Sequence, residues 1–170
     1  MKKFKVILAA VVAAAFILCG LYFFVFLPKY TAPILTYHRF GYENNSLFVT
    51  PENFDKQMKY LKDNGYKVVS LDEIVNGIKE KKPPVFKSVA ITIDDGYEDN
   101  FLNALPILRK YGFKATIFLA TDFIGKEMIN RNGTSLKMLN WEQIAEMHES
   151  GLIDFQPHTA RHVDLTSISA

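Results

Sequence analysis

An unbroken apolar run near the start is the strongest feature of the hydrophobic pattern. Residues 6–27 carry no charged side chain, and a helix needs about 20 such residues to cross roughly 30 Å of hydrocarbon. Lys2, Lys3 and Lys5 precede the run, which favours an N-terminus inside the cell and the remainder outside. We therefore predict that residues 1–29 form a cytoplasmic tip and a single transmembrane helix in the cell membrane.

Three other interpretations of this run stay open. Removal as a signal peptide would give a secreted protein, although apolar residues rather than a polar flank follow Ala13–Ala15. Cys19 would carry the lipid of a lipoprotein, although Leu18 before it is larger than the small residue that such a signal needs. A buried helix of a soluble domain is rarely apolar on every face. A membrane helix fits the pattern best.

Beyond residue 30, short apolar segments alternate with amphipathic ones. Ser70 to Glu73 form a capping box that opens one of the helices. In another helix we expect Leu102, Leu105 and Leu108 to face the core and Pro106 to cause a kink. Predicted strands cover residues 33–38, 67–70, 88–93, 115–120 and 152–156, predicted helices begin near residues 50, 70, 99 and 140, and residues 125–137 are predicted to be a loop.

Alternating strands and helices are typical of an α/β domain with a largely parallel sheet. A length of 170 residues allows one domain after the anchor, and we place it at residues 30–170. In such a domain the active residues gather at the C-terminal ends of the strands. No closing helix follows the last predicted strand, so we expect the domain to be truncated at its C-terminus.

Composition narrows the classes of function. The chain is 49% apolar and 22% charged, which suits a buried core rather than disorder. Its net charge is +2, and no basic stripe indicates nucleic acid as a partner. Cys19 is the single cysteine, which excludes an intrachain disulfide and a CxxC site. Any metal must therefore be held by His, Asp or Glu.

Two clusters of potential metal ligands follow predicted strands. Asp94 and Asp95 come after one strand, and His158 and His162 after another. Two histidines four residues apart share one face of a helical turn, and one carboxylate would complete three protein ligands with a place left for water. An open zinc site of this kind performs hydrolysis, and the second aspartate could take the proton from water.

Each cluster has a plain structural alternative. An Asp-Asp-Gly sequence often forms a turn, and a lone HxxxH is often a surface pair. The two clusters occur together, after strands of one domain that we place outside the membrane. Their joint occurrence favours a metal site.

The same segments resemble a known family. Thr92-Ile93-Asp94-Asp95-Gly96-Tyr97 resembles the first motif of the NodB-type polysaccharide deacetylases, carbohydrate esterase family 4, and His158-Thr159-Ala160-Arg161-His162 resembles their second. Residues 35–38 are similar to the strand that opens many bacterial members, and residues 114–119 to the strand after the first motif. The resemblance covers most of residues 33–166.

The resemblance implies a fold and an activity. The fold would be an incomplete (β/α) barrel, preceded here by the transmembrane helix. Asp94 would be the catalytic base, and Asp95, His158 and His162 would hold a divalent metal, most commonly Zn²⁺. The reaction would remove acetyl groups from N-acetylglucosamine units of a cell-envelope or extracellular polysaccharide. We expect Tyr97, beside the first motif, to contact this substrate. The partners are then an acetylated amino-sugar polysaccharide and the lipid bilayer, with no protein partner predicted.

The sequence also departs from the family pattern. Pro157 stands where the family usually has serine or another small residue. The family's later motifs, which contain an orienting arginine, an Asp-Trp pair and a general-acid histidine, find no counterpart up to Ala170. We interpret His38 as a structural histidine and His148 as an exposed helix residue. An inactive or glycan-binding fragment, and an O-acetyl esterase on the same scaffold, therefore stay open as alternatives.

Overall fold

The computed structural model describes residues 2–26, 31–129 and 135–167. Its first helix, α1 (Lys2–Leu21), continues into a π-helical turn, Tyr22–Phe26. Together they form a 25-residue helix with a mean hydropathy of 2.7 in its most apolar part and no buried residue. Length and composition suit a membrane span, and the predicted boundary at residues 28–30 lies outside the described residues.

The predicted strands and helices are present in alternation, and two pairs of short strands that the sequence did not predict lie between them. The strands are β1 (Ile34–Tyr37), β2 (Arg39–Phe40), β3 (Phe48–Val49), β4 (Lys67–Val68), β5 (Ser88–Asp95), β6 (Ala115–Leu119), β7 (Glu127–Ile129), β8 (Ser135–Lys137) and β9 (Ile153–Pro157). The helices are α2 (Pro51–Asp63), α3 (Leu71–Lys79), α4 (Leu105–Tyr111) and α5 (Trp141–Glu149), with a π-helical segment at Asn100–Ala104 and a 3₁₀ turn at Thr121–Phe123.

A parallel sheet in the order β1-β5-β6-β9 carries the domain, and β4 pairs with the start of β5. All of its pairings are parallel. The central strand β5 is buried from Ser88 to Ile93, because it has neighbours on both sides and packs within the main hydrophobic cluster. All C-terminal strand ends therefore lie at one edge of the sheet.

Helix caps explain where the helices begin. The Thr50 hydroxyl accepts a hydrogen bond from the Asn53 amide, and Pro51 occupies the first turn of α2. Full capping boxes open α3 at Ser70 and α5 at Asn140. These signals depend on residues close in sequence, which is why the sequence predicts the helix starts well.

Two details of the prediction are wrong. The predicted helix after β5 is divided: the π-helical segment comes first, and α4 then begins with Pro106 in its first turn, where the missing N–H costs little. The wider π turn leaves Leu102 56% exposed, although Leu105 and Leu108 are buried as expected. The predicted loop at residues 125–137 contains an antiparallel pair, with Met128 opposite Leu136.

Candidate active site

The end of β5 positions the two aspartates. Asp95 is opposite Leu119 of β6, and Leu119 is opposite Pro157 of β9. His158, the next residue after Pro157, donates its amide to the Leu119 carbonyl at 2.7 Å. The parallel register thus brings a carboxylate and a histidine that are far apart in sequence to the same edge.

Gly96 makes a tight turn possible directly after the aspartates. Its φ is +80°, and a Cβ atom built there would lie 2.5 Å from Cδ2 of Leu119. Its carbonyl accepts a hydrogen bond from the Leu139 amide at 2.9 Å. Glycine is required here both for the positive φ and for the close approach of β6.

The histidines lie on an irregular turn, and the predicted helical turn is wrong. Thr159 and His162 have φ values of +60° and +49°, which a right-handed helix does not contain. The turn is held by the amides of Thr121 and Asp122, which donate to the carbonyls of Thr159 and Ala160 at 3.3 and 2.8 Å. Even so, the two imidazole centroids are 4.9 Å apart.

Asp95, His158 and His162 converge as the sequence predicts. Oδ1 of Asp95 lies 3.6 Å from Nε2 of His158 and 3.3 Å from Nε2 of His162. One ligand atom from each residue lies within 4.8 Å of the others. The side chain of Asp95 is only 11% exposed, and its buried Oδ1 has no hydrogen-bond partner.

That unpartnered oxygen tests whether the residues suit a metal. Burying a carboxylate oxygen without a donor is costly, and a cation removes the cost. Two imidazole nitrogens and one carboxylate are a ligand set that zinc accepts in open, hydrolytic sites. The arrangement therefore fits a divalent metal held by Asp95, His158 and His162.

Asp94 and His38 face each other beside this cluster. Nε2 of His38 lies 3.7 Å from Oδ2 of Asp94, and the side chains are 32% and 20% exposed. From the sequence alone, His38 is expected to be a structural histidine, and no counterpart of the family's general-acid histidine is expected. The signal that could have found it is the register of β1 on β5, because Tyr37 is opposite Ile93 and the next residues on both strands are His38 and Asp94.

Tyr97 directly follows Gly96 and interacts with the charge of Asp95. Its ring lies 4.5 Å from the Arg39 guanidinium, and its backbone bridges to Met138. Burial, with a smaller contribution from the negative charge of Asp95, raises the pKa of Tyr97 to about 12. The phenol is therefore protonated at neutral pH. Its contact with substrate stays a prediction.

The sequence can now be compared with known proteins. The family model for polysaccharide deacetylases matches residues 81–170, which include both motifs. The chain belongs to the polysaccharide deacetylase family. The match confirms the family that the two motifs indicated.

Three deacetylases illustrate the likeness. A putative polysaccharide deacetylase of Bacillus subtilis, YxkH, is 40% identical over 137 residues, covering 81% of this chain and 45% of its own. The poly-beta-1,6-N-acetyl-D-glucosamine N-deacetylase of Staphylococcus epidermidis is 39% identical over 111 residues, covering 65% and 37%. The structure of Streptococcus pyogenes deacetylase PplD in complex with acetate has a TM-score of 0.68 and 34% identity, covering 81% of this chain and 60% of that one.

These deacetylases confirm the predicted fold class, an α/β structure of the incomplete-barrel type. The chain spans less than half the length of the two curated deacetylases. The activity of the whole protein is therefore a matter for proposal.

Proposed function

We propose that this chain contributes the metal ligands, the base and the proton donor of the active site in an N-deacetylase that removes acetyl groups from N-acetylglucosamine units of a cell-envelope or extracellular polysaccharide. The observation that carries the proposal is the unpartnered Oδ1 of Asp95 between two imidazoles, with Asp94 beside it and facing solvent. The names of the staphylococcal relatives support this class of substrate.

Asp95, His158 and His162 would hold the metal, and Zn²⁺ suits their donor set. When bound there, a zinc ion would supply Lewis acidity, which would help to polarise the acetyl carbonyl and to deprotonate water. The protein's own part is to present three ligands from one side and leave the other side open. The exposure of His162, 57%, agrees with an open side.

Asp94 and His38 divide the proton transfers between them. Asp94 takes a proton from the attacking water, whose oxygen bonds to the acetyl carbon. The C–N bond then breaks as the imidazolium of His38 gives its proton to the departing amine nitrogen. The proton that Asp94 took from water then passes to His38, which restores both groups. The products are acetate and a free amino sugar. The two side chains lie 3.7 Å apart and are partly exposed, so one bound acetamido group can reach both.

Helix α1 would hold the domain on the outer face of the cell membrane. Its length and apolar composition and the lysines before it support an anchor with the N-terminus inside. A polysaccharide substrate of the envelope lies on the same side. Carbonate-resistant membrane association, together with protease sensitivity of the domain from outside the cell, is the expected result.

Asp94→Asn tests the reaction. We expect kcat on N-acetylglucosamine oligomers to fall by about 10²–10⁴-fold, since general-base catalysis contributes that much, while bound zinc stays at one equivalent by mass spectrometry. Asp122 is a nearby exposed carboxylate, and Asp122→Asn is the control. It should keep both the kcat and the bound zinc of the parent protein. An Asp94→Asn protein as fast as its parent would remove the base assignment.

A further inference from the structure

The segment that carries His38 is held by side chains that follow the two aspartates. Asn100 Nδ2 donates to the His38 carbonyl at 3.0 Å. The carboxylate of Asp99 accepts from Nε of Arg39 at 2.9 Å and from the Phe40 amide at 3.1 Å. Three successive residues, 38–40, are thus bound by neighbouring side chains, and we call Asp99 and Asn100 the residue-38 clamp.

The clamp is buried and is made by an unusual backbone. Asn100 is fully buried, and both members of the Arg39–Asp99 pair are 13% exposed. The guanidinium of Arg39 lies 4.5 Å from the rings of Phe48 and Tyr97. Asn100 opens the π-helical segment, and single π turns occur often at functional sites.

Stability alone does not account for the ion pair. Burial raises the pKa of Asp99, although the charge of Arg39 and hydrogen bonds from Phe40 and Asn100 oppose the rise. Buried pairs of this kind add little net stability. What the pair does fix is the position of residues 38–40 relative to the end of β5.

His38 depends on this backbone hold. Its ring approaches Asp94 at 3.7 Å, which is too long for a hydrogen bond. Among residues 2–26, 31–129 and 135–167, no side chain forms a hydrogen bond with the His38 ring. The place of the imidazole is therefore set through its backbone, and the Asn100 contact is made at the His38 carbonyl itself.

We propose that Asp99 and Asn100 are positioning residues for His38, which hold its imidazole where it can deliver a proton to the departing amine. The proposal rests on the role given to His38 under Proposed function. It assigns the clamp to the second proton transfer, and neither to metal binding nor to the first.

The leaving group of the substrate separates this role from a purely structural one. An amine leaves only with a proton, whereas the phenolate of 4-nitrophenyl acetate leaves without one. In the zinc-loaded full chain, Asn100→Ala should lower kcat on N-acetylglucosamine oligomers by about 10- to 100-fold, as expected for a small displacement of a catalytic group. Hydrolysis of 4-nitrophenyl acetate should stay within about twofold.

Three variants guard this test. Asp99→Asn keeps the shape of the side chain and should show the same selective loss of kcat on N-acetylglucosamine oligomers. This variant keeps the proposal testable if Asn100→Ala does not fold. Asn64→Ala, which removes an amide-to-carbonyl hydrogen bond to Tyr60 at the end of α2 instead, is the matched control and should leave both activities unchanged. His38→Ala should show the selective loss in its largest form.

Each outcome decides something. Equal losses on both substrates in folded Asn100→Ala and Asp99→Asn proteins would overturn the positioning role. Full amide activity in His38→Ala would instead remove the proposed proton donor. A second measurement is independent of turnover: the imidazole NMR signals of His38 should shift in Asn100→Ala while those of His148 do not, and an unmoved His38 signal contradicts the proposal.

Discussion

The two sides of the candidate metal centre are built in different ways. Asp95 ends an eight-residue strand that is buried and has parallel neighbours on both sides. The histidines lie on a turn after β9, where the side chain of His162 is 57% exposed. The carboxylate is therefore placed by the sheet, whereas the imidazoles are placed by a few backbone hydrogen bonds.

This difference indicates how the site works. The strand end is supported by parallel neighbours on both sides, and the unpartnered Oδ1 of Asp95 lies where a cation would bind. The histidine turn has fewer supports from regular structure. Positive φ does not separate the two sides, because Asp95 has a φ of +73° just as Thr159 and His162 have +60° and +49°. We expect metal binding to stabilise the turn far more than the strand.

The largest effect should come from removing ligands on either side. We expect Asp95→Asn and His162→Ala each to lower zinc affinity by at least about 100-fold, because even outer partners of metal ligands contribute 10- to 100-fold. Competition with a fluorescent chelator measures the zinc affinity of each variant. Asp122→Asn should leave the affinity unchanged, and a normal affinity in Asp95→Asn would show that the histidines bind without the strand.

A glycine substitution probes the strand side of the centre, at the end of β5. Gly96→Ala should lower the free energy of unfolding by about 2–4 kcal/mol, because it adds overpacking against Leu119 to the cost of a positive φ. Gly112→Ala has a φ of +66° and nothing within 4 Å of the added Cβ, so about 1 kcal/mol is expected. Urea unfolding of the two proteins compares them, and equal losses would mean that the strand end tolerates the extra atom.

Hydrogen exchange measures the smallest effect. The amides of Thr121 and Asp122 donate to the histidine turn, so their exchange reports how often the turn detaches. Adding zinc should slow them by about tenfold or more, while Ile91 and Ile93 in β5 change by less than about twofold. Similar slowing at all four amides would contradict the proposed difference between the two sides.

The sequence predicts the strand side of the centre much better than the histidine side. The continuous apolar character from Ser88 to Ile93 identifies β5, and the aspartates after it follow directly. The prediction of a helical turn at the histidines is wrong, because the positive φ values of Thr159 and His162 depend on contacts with residues 121 and 122. Local sequence carries no signal for those contacts.

Two further features needed tertiary information. His38 enters the site only through the pairing of β1 with β5, and its clamp joins residues about 60 positions apart. The sequence predicts a helix kinked at Pro106 where the structure has a π-helical segment, because a proline indicates an irregularity but not which kind. Strand ends and caps are local, whereas a site assembled across strands depends on register.

The row formed by Asp95, Leu119 and Pro157 also limits how such chains can diverge. One residue inserted within β5 or β6 would move the partners by about 3.3 Å and turn the following side chains to the opposite face. Insertions at residues 105–114 or 124–152 would leave the row aligned. Homologous proteins can therefore differ widely in the number of residues between the aspartates and the histidines, whereas the strands that end at them must keep their lengths.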